Sequence, residues 1–148
     1  MIIHLGASTE LLRPKNVVDL RKVLPNILFM RSVPVTGSGS IATARSYDGI
    51  VDFLLLDSHR DGDAQIGALG VTHDWNISRH IVETVRTPVI LAGGLGLDNV
   101  VEAILAVKPA GVDSKTRTDL ADTHTKDLMK VEAFNKAAKG VADVTPLP

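Results

Sequence analysis

The stretch VDFLLLD, Val51 to Asp57, constrains the fold of this chain more than any other. Four apolar residues in succession, Phe53 to Leu56, do not alternate with polar ones. A strand with one wet face alternates, so this one needs cover on both faces, as in a parallel sheet flanked by helices. Asp48-Gly49 before it and Arg60-Asp61-Gly62 after it are turn sequences, which limits the run to strand length. The strand then stops on a carboxylate. Ligands of α/β folds gather at the carboxyl ends of parallel strands, so Asp57 stands where chemistry is expected. The competing reading is a capping or ion-paired carboxylate.

The rest of the chain repeats a strand–helix order. Ile2 to Leu5 forms a short strand, and Ser8 or Thr9 can cap the helix that follows. Val17, Val18, Leu20, Val23 and Leu24 recur at helical spacing, with Pro14 in the early turn and Pro25 as the stop. Ile27 to Val33 is a second strand, and a short helix spans Ser40 to Tyr47. The third strand, Phe53 to Asp57, leads into a long loop from His59 to about His73, with glycines at 62, 67 and 70. Loops of that length in a compact domain are usually functional. Asp74 caps a helix from Trp75 to about Val85, with Ile77, Ile81, Val82 and Val85 inward. Val89 to Ala92 is a fourth strand, and Gly93-Gly94 follows at once. The next helix carries Val100, Val101, Ile104, Leu105 and Val107 and ends at Pro109. Gly111 to Asp113 is a fifth, very short strand, followed by a polar loop to Thr125. A closing helix spans Lys126 to Lys139, with Leu128, Val131, Phe134 and Ala138 inward and Gly140 beyond its end. The tail from Val141 is expected to be loose. Strands that alternate with helices predict one α/β domain over 1–148, a parallel (βα) repeat with right-handed crossovers.

Composition narrows the function. The 148 residues carry a net charge of −1, no basic block and five aromatic residues, which disfavours nucleic acid as a partner. No cysteine is present, so disulfides, zinc–cysteine sites and thiol catalysis are excluded. No apolar run approaches the roughly 18 residues of a membrane span, and the N-terminus shows no basic leader. A cytoplasmic protein without a membrane partner is the expectation.

Three strand ends collect polar residues: Asp57-Ser58-His59, Gly93-Gly94 and Asp113-Ser114-Lys115-Thr116. A parallel sheet places all three on one rim. Gly93-Gly94 ahead of a helix bares backbone N–H groups beside a positive helix end, which suits a phosphate. Ser114, Lys115 and Thr116 could add hydroxyl and ammonium donors. Tight packing is the other reason for a Gly-Gly turn. Asp57, His59, Asp61, Gly62 and Asp63 have the early spacing of a calcium loop, but Ala68 stands where its bidentate carboxylate belongs. His59, His73 and His80 lack a metal-binding spacing; no metal and no cofactor are expected. Trp75 reads as a packing residue at the helix start. Arg31, near a strand end, could meet an anionic substrate or lie with a buried stem and an ion-paired head.

These pieces resemble the phosphoribosylanthranilate isomerase family, (βα)8-barrel enzymes of tryptophan biosynthesis. LLLDS at 54–58 resembles the family's sixth strand and catalytic aspartate, and GVTHDW at 70–75 its glycine–threonine loop. PVILAGGLGLDNVVEAI at 88–104 resembles the seventh strand with its phosphate-binding glycines. PAGVDSKTRTD at 109–119 resembles the eighth strand, and KDLMKVEAFNKAA at 126–138 the closing helix. Residues 1–33 fit less distinctly as the fourth and fifth strands.

The resemblance implies a partial TIM barrel of about five of eight βα units. It also implies an Amadori rearrangement of an aminoaldose phosphate to an aminoketose phosphate. Asp57 would be the general acid. Gly93 and Gly94 would hold the substrate phosphate through backbone N–H groups, with Ser114, Lys115 and Thr116 beside them. In the family the first three units carry a cysteine base and an arginine for the anthranilate carboxylate, and this chain has no cysteine. DSKTRTD also stands where the family has small serines and a glycine. A barrel needs about 200 residues or more, so five units are expected to leave open strand edges and uncovered apolar surface. The partners expected are a phosphorylated sugar and either a second copy or a complementing barrel segment. A non-catalytic phosphosugar-binding module and a self-associating scaffold are the alternatives.

Overall fold

The computed structural model describes residues 1–59 and 71–142. The calcium-like spacing from Asp61, most of the long loop with its glycines at 62, 67 and 70, and the end of the tail lie outside the described residues. Among the described residues ten strands and α-helices alternate along the chain. They are β1 (Ile2–Leu5), α1 (Pro14–Val23), β2 (Leu28–Pro34), α2 (Gly39–Tyr47), β3 (Phe53–Asp57), α3 (Trp75–Thr84), β4 (Val89–Leu91), α4 (Val100–Val107), β5 (Gly111–Val112) and α5 (Leu128–Ala142). A 3-10 turn, Thr116–Thr118, follows β5. The strands form one parallel sheet in chain order, β1-β2-β3-β4-β5.

Local chemistry sets the ends of these elements. Pro14 opens α1, where its missing N–H costs nothing, and the Arg13 N–H donates to Asn16 Oδ1 at 3.0 Å. The expected cap from Ser8 is instead part of a separate turn, in which Leu12 N–H donates to Ser8 O. Asp74 caps α3 as expected, accepting from Asn76 N–H at 2.9 Å. α4 ends on Lys108 in the left-handed region, φ 56°, just before Pro109.

Parallel strands in sequential order, joined by crossovers of one hand, carry their connecting helices on one side of the sheet. That side holds the core: Phe29, Val33, Leu54, Leu56, Val89 and Leu91 from the strands meet Val17, Ala44, Tyr47, Ile81, Val100, Ala103 and Val107 from the helices. Leu55, of opposite parity, is buried on the other face, so the central strand is covered on both sides as its sequence requires. Toward β1 that second face opens, and Ile2 and Leu28 are exposed. Leu128, expected inward, is 78% exposed, and Gly140, expected beyond the last helix, lies within α5.

Arg31 has the buried stem expected of it, but its head makes no ion pair among the described residues and does not reach the rim. It is fully buried on the helix side, away from the face of Asp57. Its Nη1 donates to Leu5 O and Ala7 O, and its guanidinium lies 5.0 Å from the centre of the Tyr47 ring. It pins the chain leaving β1, while Nε and Nη2 find no acceptor among the described residues.

Two carboxylates tie connections to the layer. Asp48 Oδ1 accepts from the N–H groups of Arg86 and Thr87 and from the Thr87 hydroxyl. Asp52 Oδ2 accepts from Phe29 N–H and Arg21 Nη2, each at 2.7 Å. Burial alone would raise both pKa values; the donated hydrogen bonds and the neighbouring arginines outweigh it and hold both below 3.8. A depressed folded pKa gives stability that is present above the unfolded value and lost as pH falls through the folded one. Urea denaturation should therefore show stability declining below about pH 4, with a shallower decline in Asp48→Asn.

Candidate active site

Ladder hydrogen bonds align the strand ends. Val35 N–H donates to Asp57 O, Ala92 N–H to Leu56 O and Asp113 N–H to Leu91 O, each one residue past a strand. Asp57, Gly93 and Ser114 thus share one rim, and the first two are immediate neighbours. A methyl group placed on Gly93 would lie 3.2 Å from Asp57 Oδ1. Asp57 itself is buried at 9% exposure, and its Oδ1 accepts from Ser58 N–H at 2.8 Å.

Gly93 and Gly94 have φ of 84° and 60°, which side-chain-bearing residues rarely adopt. Space demands glycine as well. A methyl on Gly94 would come within 2.7 Å of the Val71 and Thr72 backbone, so the segment before α3 lies directly on this turn. Asn99 braces the turn: its amide nitrogen donates to Gly94 O and its oxygen accepts from Gly96 N–H. Arg117 Nη1 also reaches Gly94 O, at 3.3 Å, while its Nη2 pairs with Asp98 at 2.7 Å. The N–H groups of Gly94 and Leu95 donate to no acceptor among the described residues.

The third strand end closes the cleft. Asp57, Gly93, Gly94, Leu95, Asp113, Ser114, Lys115 and Thr116 line a space of about 20 Å³, room for about one water. All six residues predicted from the sequence are therefore brought together. Their side chains are not equally available. Ser114 Oγ donates to Leu95 O at 2.6 Å, so its hydroxyl braces the glycine turn. The Lys115 carbonyl accepts from Lys126 Nζ, which also bonds Thr118 Oγ1 and lies 2.7 Å from Asp119. A wider groove of about 680 Å³ runs alongside, between Gly96–Asp98 and the loop 116–124.

Sequence reasoning missed His73 as part of this site. Its ring lies against Gly93, with Nδ1 2.9 Å from the position of a Gly93 methyl, and Nε2 is 2.8 Å from Ser78 Oγ. Burial pushes its pKa down to about 4 against the opposing pull of Asp74. Among the described residues, no three His, Asp or Glu side chains converge to hold a metal ion. Asp113, named from the sequence with the third strand end but given no role, also lines the cleft; Asn99 was missed as a site residue. Asn99 carried a signal, a capping residue type just before an apolar helix; the His73–Ser78 contact carried none.

Fold and rim define the class: a (βα)-repeat protein of TIM-barrel type with its polar groups at the carboxyl ends of the strands. The family model of N-(5'phosphoribosyl)anthranilate (PRA) isomerase matches residues 14–137, and the chain belongs to that family. N-(5'-phosphoribosyl)anthranilate isomerase 2 of Methanosarcina mazei is 42% identical over 84% of this chain and 54% of its own length. The phosphoribosyl anthranilate isomerase structure from Thermotoga maritima is 28% identical with a TM-score of 0.68, covering 94% of this chain and 60% of that one. Another structure of the enzyme, in complex with reduced 1-(o-carboxyphenylamino)-1-deoxyribulose 5-phosphate, is 27% identical with a TM-score of 0.66, covering 94% of this chain and 58% of that one. The chain spans about half the length of the curated relatives it matches.

Proposed function

We propose that this chain contributes the acid and phosphate side of a phosphoribosylanthranilate isomerase site in tryptophan biosynthesis. Asp57 is the general acid. It protonates the ribose ring oxygen, the ring opens, and the nitrogen lone pair forms an iminium with the adjacent carbon. A base then removes the proton from the next carbon, and those electrons neutralise the iminium to give the enolamine. Tautomerisation yields the aminoketose, with no net gain or loss of atoms. Gly93 and Gly94 hold the substrate phosphate through backbone N–H groups. Ser114 braces that turn, and Lys115 and Thr116 add positive charge and a hydroxyl.

The observation that carries this reading is the closeness of Asp57 Oδ1 to the Gly93 turn, whose neighbouring amides at Gly94 and Leu95 are unoccupied among the described residues. A phosphate at a turn of bare amides, with the helix α4 beginning just beyond, is electrostatically favoured. The phosphosugar ligand of the related complex has the chemistry this pairing suits. The family's base and its anthranilate-binding arginine come from strands preceding those matched here. The exposed Ile2 of β1 and Leu28 beside it suit a complementing barrel segment or a second copy as the partner.

The test follows the fluorescence of phosphoribosylanthranilate with and without a supplied segment carrying the family's first three βα units. Loss of fluorescence that requires both pieces is the expected result. Tight phosphosugar binding without turnover in either mixture would favour a non-catalytic binding module. No binding and no turnover would remove the reading altogether.

A further inference from the structure

The end of β5 reaches across the rim and takes hold of the glycine turn at two successive carbonyls. Ser114 Oγ donates to Leu95 O at 2.6 Å, and Arg117 Nη1 donates to Gly94 O at 3.3 Å. Arg117 Nη2 pairs with Asp98 Oδ2 at 2.7 Å. One guanidinium thus grips both ends of residues 94–98, between β4 and α4. Its stem lies against the middle of that segment, where a methyl on Gly96 would come within 2.9 Å of Arg117 Nε. The base is firm as well. Arg117 sits in the 3-10 turn Thr116–Thr118, where Thr118 Oγ1 donates to Lys115 O at 2.9 Å and accepts from Lys126 Nζ at 3.0 Å.

We propose that Arg117 is a positioning residue for the phosphate cradle: by holding Gly94 O it sets the direction of the Leu95 N–H. This rests on the reading of the Gly93-Gly94 turn as the phosphate site. A trans peptide is planar, with C=O and N–H on opposite sides, so holding one pole aims the other. Leu95 N–H donates to no acceptor among the described residues, and Leu95 lines the cleft with Asp57. An amide that is already aimed costs a ligand less ordering on binding. Asn99 Nδ2 shares Gly94 O, at 3.1 Å, and a carbonyl has two lone pairs for two donors. The two donors differ in where they stand. Asn99 begins the helix after the turn and moves with it, whereas Arg117 ties the turn to the next strand end.

The position calls for the fork of the guanidinium, not for its charge alone. That charge is already met by Asp98. A lysine carries the same charge on one nitrogen, and a point cation settles on the carboxylate rather than on a neutral carbonyl. Gly94 O would then lose its second donor. The Arg117 side chain is 40% exposed, so replacing it leaves the core untouched.

The experiment uses the full chain labelled with 13C and 15N, as the parent, Arg117→Lys and Arg117→Met. Before any ligand is added, both variants should move the Gly94 carbonyl 13C signal upfield and change the Leu95 N–H residual dipolar coupling, while the couplings of β2 and β3 stay as in the parent. A change in stability alone moves neither signal. Inorganic phosphate, titrated against the Leu95 amide signal, should bind both variants about tenfold more weakly, the worth of one charge-assisted hydrogen bond. A folded Arg117→Lys variant with the parent's Gly94 shift and Leu95 coupling overturns the proposal. So does parent-like phosphate affinity in Arg117→Lys beside a loss in Arg117→Met, because charge alone would then account for the effect. A parent that binds no phosphate would remove the phosphate site itself; the ligand-free signals judge the hold of Arg117 on the turn separately.

Discussion

An Asp57→Asn variant, assayed with the complementing segment, should lose about 10²–10⁴-fold in turnover, the usual contribution of a positioned general acid. The amide matches the carboxyl in shape and can still accept from Ser58 N–H through its oxygen, the contact made by Oδ1. It cannot deliver a proton to the ring oxygen. The fold should therefore survive, with a circular dichroism spectrum and melting curve close to those of the parent. KM should change little, because the phosphate is held by the neighbouring turn. Turnover within a few-fold of the parent would remove Asp57 from the mechanism.

The second large effect is structural, and it should fall on Gly94. Alanine there must adopt a φ near 60° and place its methyl 2.6 Å from the Val71 carbonyl carbon and 2.7 Å from Thr72 N. Backbone strain and overpacking each cost about 1–3 kcal/mol, and neither neighbour is a flexible side-chain tip that could swing away. Gly94→Ala should lower stability by about 3 kcal/mol, or roughly 10 °C in Tm for a domain of this size. Binding of a phosphosugar should weaken with it as the amides are displaced. Gly140→Ala is the internal contrast. Its methyl would meet nothing within 4 Å, and it lies in the exposed last part of α5. There alanine should stabilise by about 0.5–1 kcal/mol. Equal effects at the two positions would mean that the close approach at Gly94 is not what fixes the turn.

The same glycines show what could be read from residue order. β3 was legible to the residue, because a run of large apolar side chains ended by a carboxylate has few homes other than a central parallel strand. The Gly93-Gly94 turn was legible as a close approach, although the sequence could not say that Val71 and Thr72 were what approached. Gly140 misled: a glycine after an apolar stripe signals a stop, but at an exposed position its cost is small enough for the helix to run through. Leu128 misled for another reason. Periodicity gives the angle of a side chain around a helix, not how far along the helix its neighbour reaches. The bracing by Asn99 and Ser114 and the contact of His73 with Gly93 depend on which loops meet above the rim. That is decided by the lengths of several connections at once and is written in no local pattern.

The agreement between order in space and order along the chain bears on how the molecule forms. Each strand pairs with the one made just before it, and each connecting helix settles on the same growing layer. The ends to be joined are always one unit apart, so loop closure stays short. During vectorial synthesis every new unit finds a finished edge waiting. Growth of this kind has no built-in last step: it proceeds rung by rung until another edge is met.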